Sequence, residues 1–515
     1  MAKQKNVLLI FTDQQRFDTI EAHGNPVIKT PVLNKLSQSG VHFDRAYTPC
    51  PVCVPARYAM LTGQLPHQTD CADNEPSLFR TSMMQILSQN GYQTFGIGKM
   101  HFTLTEPASE QQDALGSFMG KQTNLTEKWG FDRRLTSECD DADDYKAFVR
   151  NSGFSHVADA TGERSEMYYI PQVAQVPPEK TETAWVTSQS ISQLQNRDRQ
   201  RPFFMMTSFQ APHPPFVAPF PWYKLYRGAD MPLPKVPDEY GNLLTLWNKF
   251  QNRYKYMDQG INKNLLRTMK AFYYASISFL DYNIGQLLDY LLAEDLLEDT
   301  LIIFTSDHGE LLGDYNSFGK RCFLDSAARV PLIIRYPGCR QNQCVGQPVS
   351  LVDIFPTILD YCGIEQPDDV CSGESLLSIA AGLTQRKQVY GQFQREGLAS
   401  YMIVEDDYKY IYSAPDRKEW LFNHRTDPEE TRNLAMNPLY IKKTSQLRQT
   451  LIDYYRQAGY LAPLDGDNWK TYPIRTMPED PDAFLLFQDA GEVPDLEGYS
   501  TEANSKIYFA NSWYE

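Results

Sequence analysis

Two stretches far apart in the chain are built alike. One reads NVLLIFTD and ends on Asp13; the other reads TLIIFTSD and ends on Asp307. Each is an apolar, β-branched run without polar alternation, too short for a membrane span, which is the pattern of a strand buried on both faces. Similar runs occupy residues 92–97, 202–209 and 331–336. Between them lie helical patterns at 31–39, 81–90, 183–196 and 265–297, the first two stopped by Gly40 and Gly91. Strand and helix alternating in this way predict an α/β fold, a mostly parallel central sheet flanked by helices. Beyond residue 384 the texture changes. Short strands at 388–393, 400–404, 408–413 and 419–422, then a helix at 440–458, predict a smaller C-terminal α+β domain on an antiparallel sheet. The expected division is 1–384 and 385–515, which 515 residues at 42% hydrophobic content can support as two cores. The tail from Leu461, rich in Pro, Asp and Tyr, is expected to wrap the surface or rim the site.

Placed on this map, the reactive side chains converge. Asp13 follows the first strand, Lys99 and His101 follow the second run, His213 follows the third, and Asp307 with His308 follows the run from Thr300. All lie just past strand carboxyl ends, where open α/β sheets bind their ligands. A formal net charge of −15 argues against a general binder of nucleic acid or anionic membranes. An anionic ligand would need positive groups gathered in a pocket. The N-terminal apolar run covers only residues 7–11, and no later stretch approaches a membrane span. The expectation is a cytoplasmic protein, or a periplasmic or secreted one if a leader has been removed. Nine cysteines at irregular spacing make no disulfide framework and are expected to be mostly reduced.

The stretch PCPVCVPARYAMLTGQLPH, residues 49–67, carries two of those cysteines. A redox Cys50-Cys53 pair would open a helix at Cys50 and leave Pro55 inside it, at a cost of about 3 kcal/mol. Zinc would need a second ligand pair, and Cys339 with Cys344 is a loose one. Cys53 as a plain buried residue stays open. The remaining reading starts a helix at Pro55, ends it at Gly63, and sets Cys53 just before a helix N-terminus, with Arg57 in the first turn able to pair with a tetrahedral oxyanion.

C-V-P-A-R followed by Y-A-M-L-T-G resembles the signature of the type I, formylglycine-dependent sulfatases of the alkaline phosphatase superfamily, C-x-P-x-R then x-x-x-L-T-G. Further stretches keep the family's order: TDQQR, GIGKMH, APHPPF, TSDHGELLGDY, FGKR and WLFNHRTDPEETRNLA, so the resemblance spans residues 6–435. It implies oxidation of Cys53 to formylglycine, whose hydrate is the nucleophile, and one divalent cation on Asp13, Gln14, Asp307, His308 and the modified Cys53. Many members have two adjacent acids where this chain has Asp13-Gln14, and some have Asn where it has His308. Oxygen ligands favour the family's usual calcium, while the histidine nitrogen leaves manganese or magnesium open. The resemblance further implies that Arg57, Lys99 and Lys320 spread positive charge over the sulfate oxygens. His213, with Lys320, would protonate the leaving oxygen, and His101 would take a proton from the second hydroxyl. His23, His42, His67, His156 and His424 are left as structural or surface residues, and Arg321 as either a solvated neighbour or a substrate contact.

The implied activity is hydrolysis of a sulfate monoester on a small sulfated sugar or oligosaccharide, since the acidic surface would repel a long polyanion. A formylglycine-generating maturase is the implied partner, with no nucleic acid and no membrane; the sequence is silent on oligomeric state. Two rivals stand beside it: a phosphonate monoester or phosphodiester hydrolase of the same superfamily, and a non-catalytic binder of sulfated glycans. The segment FQAPHPPFVAPFPWYKLY, residues 209–226, reads either as a stacking wall for a sugar ring or as core packing.

Overall fold

The computed structural model describes residues 5–74, 80–101, 129–138, 143–163, 168–255, 260, 262–367 and 371–479. Eight strands form the main sheet: β1 (Asn6–Thr12), β2 (Val41–Phe43), β3 (Gln93–Gly98), β4 (Arg133–Thr136), β5 (Phe203–Ser208), β6 (Thr300–Ser306), β7 (Leu332–Arg335) and β8 (Gln343–Val345). Their spatial order is β8-β2-β7-β6-β1-β5-β3-β4. The run from β6 through β1, β5 and β3 to β4 is parallel throughout. β7 departs from the expected direction and lies antiparallel to β6 and β2. A parallel return would require a crossover helix. Between β6 and β7 the chain carries only short helical pieces at Asp314–Asn316 and Asp325–Ala328.

Every residue of β1 is buried. Period-two alternation divides its side chains between two layers. Val7, Leu9 and Phe11 join Met60 of α2 (Cys53–Thr62), the helix that follows α1 (Pro31–Ser39), and Phe355 of a later helix, Ile354–Cys362. Leu8 and Ile10 join Leu280 and Ile284 of the long helix Lys263–Ala293. Helices therefore cover both faces, as the unbroken apolar runs predict. Among the described residues no helix is long and apolar enough to cross a membrane.

The C-terminal sheet comprises β9 (Gln388–Phe393), β10 (Ser400–Glu405), β11 (Tyr408–Ser413) and β12 (Lys418–Asn423), antiparallel in that order. One face, with Val389, Met402, Ile411 and Trp420, packs on Trp247 and Phe323 of the α/β body. The other, with Ile403, Tyr410 and Leu421, packs on Leu447 and Leu451 of the helix Ile441–Gln457. The tail contributes a small hairpin at Leu464–Asp465 and Asn468–Trp469, and its remainder from residue 480 lies outside the described residues.

A buried charge cluster joins the C-terminal sheet to the α/β body. Lys409 of β11 donates to Asp325 at 2.6 Å and also pairs with Glu430, whose other oxygen accepts the Asp325 backbone N–H at 2.7 Å. His424 lies 2.9 Å from Glu430. Burial alone would raise the Asp325 carboxyl, but Lys409 and His424 hold it below the usual carboxylate range. Replacing Lys409 by Met leaves two buried carboxylates short of a cation, and should cost about 3–5 kcal/mol in denaturant unfolding at neutral pH. A folded-state depression stabilises above the unfolded value and is lost as pH falls, so the deficit should shrink below about pH 4. An equal deficit at pH 3 and pH 7 would remove the charge argument.

Candidate active site

Four adjacent parallel strands, β6, β1, β5 and β3, deliver Asp307, Asp13, Ser208 and Lys99 at or just past their carboxyl ends. Gly98, at φ +98°, lets β3 approach β5 there; a Cβ would fall 1.8 Å from the Ser208 carbonyl oxygen. α2 points its first turn at this edge. It begins at Cys53 itself, two residues earlier than the sequence suggests, after an extended Val52. Pro55 is tolerated because first-turn backbone N–H groups have no helical partner. The orphan N–H of Val54 finds Asn74 at 3.1 Å. Gly63, at φ +67°, ends the helix as expected.

Cys53 and Arg57, one turn apart on the same helix face, meet the strand ends differently. Cys53 Sγ accepts from Lys320 Nζ at 2.9 Å, lies 3.3 Å from His308 Nε2 and 3.7 Å from Asp13 Oδ1. Arg57 is wholly buried and its donors are occupied. Nε reaches Asp307 Oδ2 at 3.0 Å, Nη2 reaches Asp13 Oδ2 at 3.0 Å, and Nη1 reaches the Lys99 carbonyl at 2.7 Å and Ser208 Oγ at 2.9 Å. The guanidinium therefore binds the protein's own two carboxylates rather than presenting its fork to an incoming oxyanion. The Phe11 ring lies against it, 4.9 Å from ring centroid to Cζ.

Lys99 Nζ adds a contact to Asp13 Oδ2 at 2.7 Å. Burial opposes the Asp13 charge, but Lys99, His213, Arg57 and Lys320 together hold its carboxyl well below the usual range. Asp307 is pushed up to about 6, by burial first and by the Asp13 charge second. Burial drops His308 to about 4, so it is a neutral imidazole. Its Nδ1 faces the Gly309 carbonyl at 2.9 Å, which assigns the proton to Nδ1 and leaves the Nε2 lone pair facing Cys53. Gln14 sits at φ +65°, a conformation costly for a side-chain-bearing residue and here held by its contacts. Its N–H donates to Asp307 Oδ1 at 2.9 Å, its Nε2 donates to Glu310, and its Oε1 accepts from Lys320 Nζ at 3.0 Å.

These donors suit a cation. Ligand atoms of Asp13, Cys53, Asp307 and His308 lie within 4.8 Å of one another. Two buried carboxylates, one raised by the other's charge, are the arrangement a divalent cation relieves. The Gln14 amide oxygen is the adjoining neutral donor.

The two remaining histidines flank the cluster. His213 Nε2 stands 4.0 Å from Asp13 Oδ1 and 3.5 Å from the Tyr168 hydroxyl. His101, at φ +51°, is anchored by its backbone N–H to both oxygens of Glu138 at 3.0 and 3.1 Å. Its Nδ1 is buried without a hydrogen-bond partner among the described residues. Burial, then Lys99 and Arg57, hold the ring well below the usual histidine range.

Several supporting residues were not singled out from the sequence. Glu310 accepts from Gln14, from the Tyr169 hydroxyl at 2.9 Å and from the Leu312 N–H at 2.9 Å. As an acid within TSDHGE, it carried a readable signal. Gln251 accepts the Lys320 N–H at 2.9 Å and donates to the Lys320 carbonyl, and no motif marks it. Arg321 is not a solvated neighbour: it is 1% exposed and lies 3.6 Å from Asp73. His67 is structural, packed among Tyr454, Tyr455 and Tyr460. In the aromatic segment, Phe209, Phe216 and Tyr226 are core residues, and Trp222 packs on Phe279 and Tyr282. Core packing is the reading that holds for Phe209, Phe216 and Tyr226, while Trp222 is half-buried.

The sulfatase family model matches residues 5–364, and one described as N-sulphoglucosamine sulphohydrolase, C-terminal, matches 313–457. An arylsulfatase of Clostridium perfringens is 30% identical, the match covering 92% of this chain and 98% of that protein. A choline-sulfatase of Rhizobium meliloti is also 30% identical, covering 84% and 83%. An N-acetylglucosamine-6-O-sulfatase of Bacteroides thetaiotaomicron is 25% identical, covering 88% and 87%. Among solved structures, a phosphonate monoester hydrolase of Agrobacterium radiobacter superposes with a TM-score of 0.77 at 25% identity, covering 91% of this chain and 100% of that one.

The Arg57 clamp makes its own prediction. Lysine cannot bridge Asp13 and Asp307 together, so Arg57→Lys should lose on the order of 2–3 kcal/mol, the worth of a charged hydrogen bond, in chemical denaturation. An unchanged midpoint would mean that the two carboxylates do not depend on the fork.

Proposed function

This chain belongs to the sulfatase family, and we propose that it removes sulfate from a small sulfated carbohydrate, using Cys53 converted to formylglycine and a divalent cation. As a family member it is a sulfuric ester hydrolase. The observation that carries the finer reading is the setting of Cys53: a first-turn side chain with Lys320, His308 and Asp13 around its Sγ. That sulfur stands where an oxygen of the aldehyde hydrate would lie. The carbohydrate reading draws on the Bacteroides relative named for N-acetylglucosamine 6-O-sulfate and on the acidic surface, which disfavours long polyanions.

The residues divide the work as follows. Asp13, Gln14, Asp307 and His308 would hold the cation, calcium by the oxygen-rich donor set, with manganese or magnesium admitted by the His308 nitrogen. When bound, the cation lowers the pKa of the attacking hydroxyl and draws charge from a sulfate oxygen. The aldehyde hydrate supplies one hydroxyl for attack and a second whose deprotonation releases the sulfate. Lys99 and Lys320 offer positive charge to the non-bridging oxygens, in a buried setting where such charge counts most. Arg57 acts through Asp13 and Asp307 by fixing both carboxylates. His213, with Lys320, donates the proton to the leaving oxygen. His101, held neutral by burial and the neighbouring cations, is in the form that accepts one from the second hydroxyl. A formylglycine-generating maturase is required. The eight described cysteines are free, which supports a reducing compartment such as the cytoplasm.

Phosphodiester or phosphonate monoester hydrolysis is the second reading, favoured by the similarity to the Agrobacterium hydrolase. Assay of paired sulfate and phosphodiester substrates separates the two by their kcat/KM ratio.

The tryptic peptide of residues 46–57 from the native host should carry an aldehyde in place of the Cys53 thiol, read by mass; a fully unmodified thiol would remove the formylglycine assignment. Cys53→Ser should react once and then stall with one sulfuryl group on the chain, and wild-type turnover by that variant would have the same effect. Chelation should abolish turnover and calcium should restore it. Full activity after exhaustive chelation would count against the cation.

A further inference from the structure

A cavity of about 60 Å³ lies beside His213, between the segment 210–219, the first turn of the helix Glu182–Gln195 and the middle of the helix Lys263–Ala293. Thr161, Glu182, Thr183, Ser276 and Phe279 are among the residues that line it. Glu182 is 6% exposed. Its Oε1 is engaged, accepting from Ser137 Oγ at 2.9 Å and from the Gln210 N–H at 3.1 Å. Its Oε2 is buried and has no hydrogen-bond partner among the described residues. A buried carboxyl oxygen left unpaired is costly and calls for an explanation. None of the roles assigned above uses it.

We propose that this cavity is a leaving-group subsite that takes one short hydroxyl-bearing arm of the substrate, such as a hydroxymethyl group, with the carboxyl of Glu182, which lines it, as the hydroxyl's partner. The inference rests on the reading of the chain as a hydrolase of small sulfated carbohydrates. Position supports it, because His213 lines the cavity and also faces Asp13 across 4.0 Å. A substrate whose ester oxygen meets His213 therefore has this cavity next to its leaving group. Size supports a single arm rather than a ring, since one water alone occupies about 10–15 Å³ on the same measure.

Charge selects the chemistry of the arm. An anion would meet the Glu182 carboxyl, and Asp143 adds to the repulsion; an ammonium would meet the field of Lys99. Burial pushes Glu182 up to about 7, against the pull of its Ser137 and Gln210 hydrogen bonds. Near neutral pH both protonation states are present, and a hydroxyl can donate to one and accept from the other. A neutral hydroxyl is therefore the partner that suits the pocket.

The test uses glucose and xylose sulfated at the same ring position, which differ by one hydroxymethyl group. The wild-type enzyme should favour the glucose ester about tenfold in kcat/KM, mostly through KM. Glu182→Ala should collapse that ratio to about one. Glu182→Gln, which can still both donate and accept, should keep most of it. Ser276→Leu, which fills the cavity from the opposite wall, should collapse it without touching the carboxyl. A structural defect lowers both esters together and leaves the ratio intact, so an unchanged ratio in Glu182→Ala and Ser276→Leu overturns the subsite. If the wild type hydrolyses neither ester, saturation-transfer NMR with methyl glucoside and methyl xyloside decides independently. A Glu182-dependent signal from the hydroxymethyl group upholds the subsite while the sulfatase substrate reading falls. Equal signals in wild type and Glu182→Ala overturn it.

Discussion

The fork of Arg57, set between Asp13 and Asp307, is the contact on which the rest of the site depends. Sheet register creates the need for it. Thr12 of β1 pairs with Ser306 of β6, so the two residues that follow are aspartates side by side in a buried edge. Two like charges in such a place repel strongly unless something of opposite sign stands between them. The guanidinium does so, at 3.0 Å from each carboxylate. Because Arg57 lies one turn along α2 from Cys53, the same contact fixes the helix that presents Cys53. The remaining carboxylate oxygens turn toward Cys53 and His308, where the four ligand groups gather.

Much of this was legible in the sequence, and for a physical reason. Strands buried on both faces must be apolar throughout, so β1, β3, β5 and β6 announce themselves, and reactive groups just past their ends must share one edge. The C-terminal strands were legible because alternating faces and polar turns leave a strong local pattern. Residues whose role depends on long-range register were not. The short β2 and β8 have too few residues for a pattern, and the antiparallel course of β7 follows from a missing crossover helix rather than from its own composition. Gln251 and Glu182 reach the site from helices with no motif, through contacts 69 and 28 residues distant in sequence. The role of Arg57 was the subtler case: its presence was readable, but its occupation by two aspartates needed the register of β1 against β6.

Charge also explains why recognition of the ester head is a weak discriminator here. The chain as a whole carries −15, yet Arg57 and Lys99 meet the carboxylates of Asp13 and Asp307, and Lys320 meets Cys53 and Gln14, within one buried cluster. The cluster itself is therefore more positive than the surface around it, which draws a small anion inward. A sulfate monoester and a phosphate diester both bring one negative charge on a tetrahedral centre. Point charges such as Lys99 and Lys320 read that charge, not the identity of the central atom.

Discrimination has to arise where candidate substrates differ, at the leaving group. On that side, around His213, mostly uncharged residues line the cavity: Thr161, Thr183, Ser276 and Phe279, with Glu182 among them. A pocket built to satisfy one hydroxyl rejects a group lacking it, because the buried oxygen then stays unpaired in the complex. The chain thus separates two tasks in space: a charged edge of the sheet fit for a singly charged ester, and a small polar pocket fit for what the ester is attached to. Changes in the second can retune the substrate while the Arg57 clamp and the residues around Cys53 stay as they are.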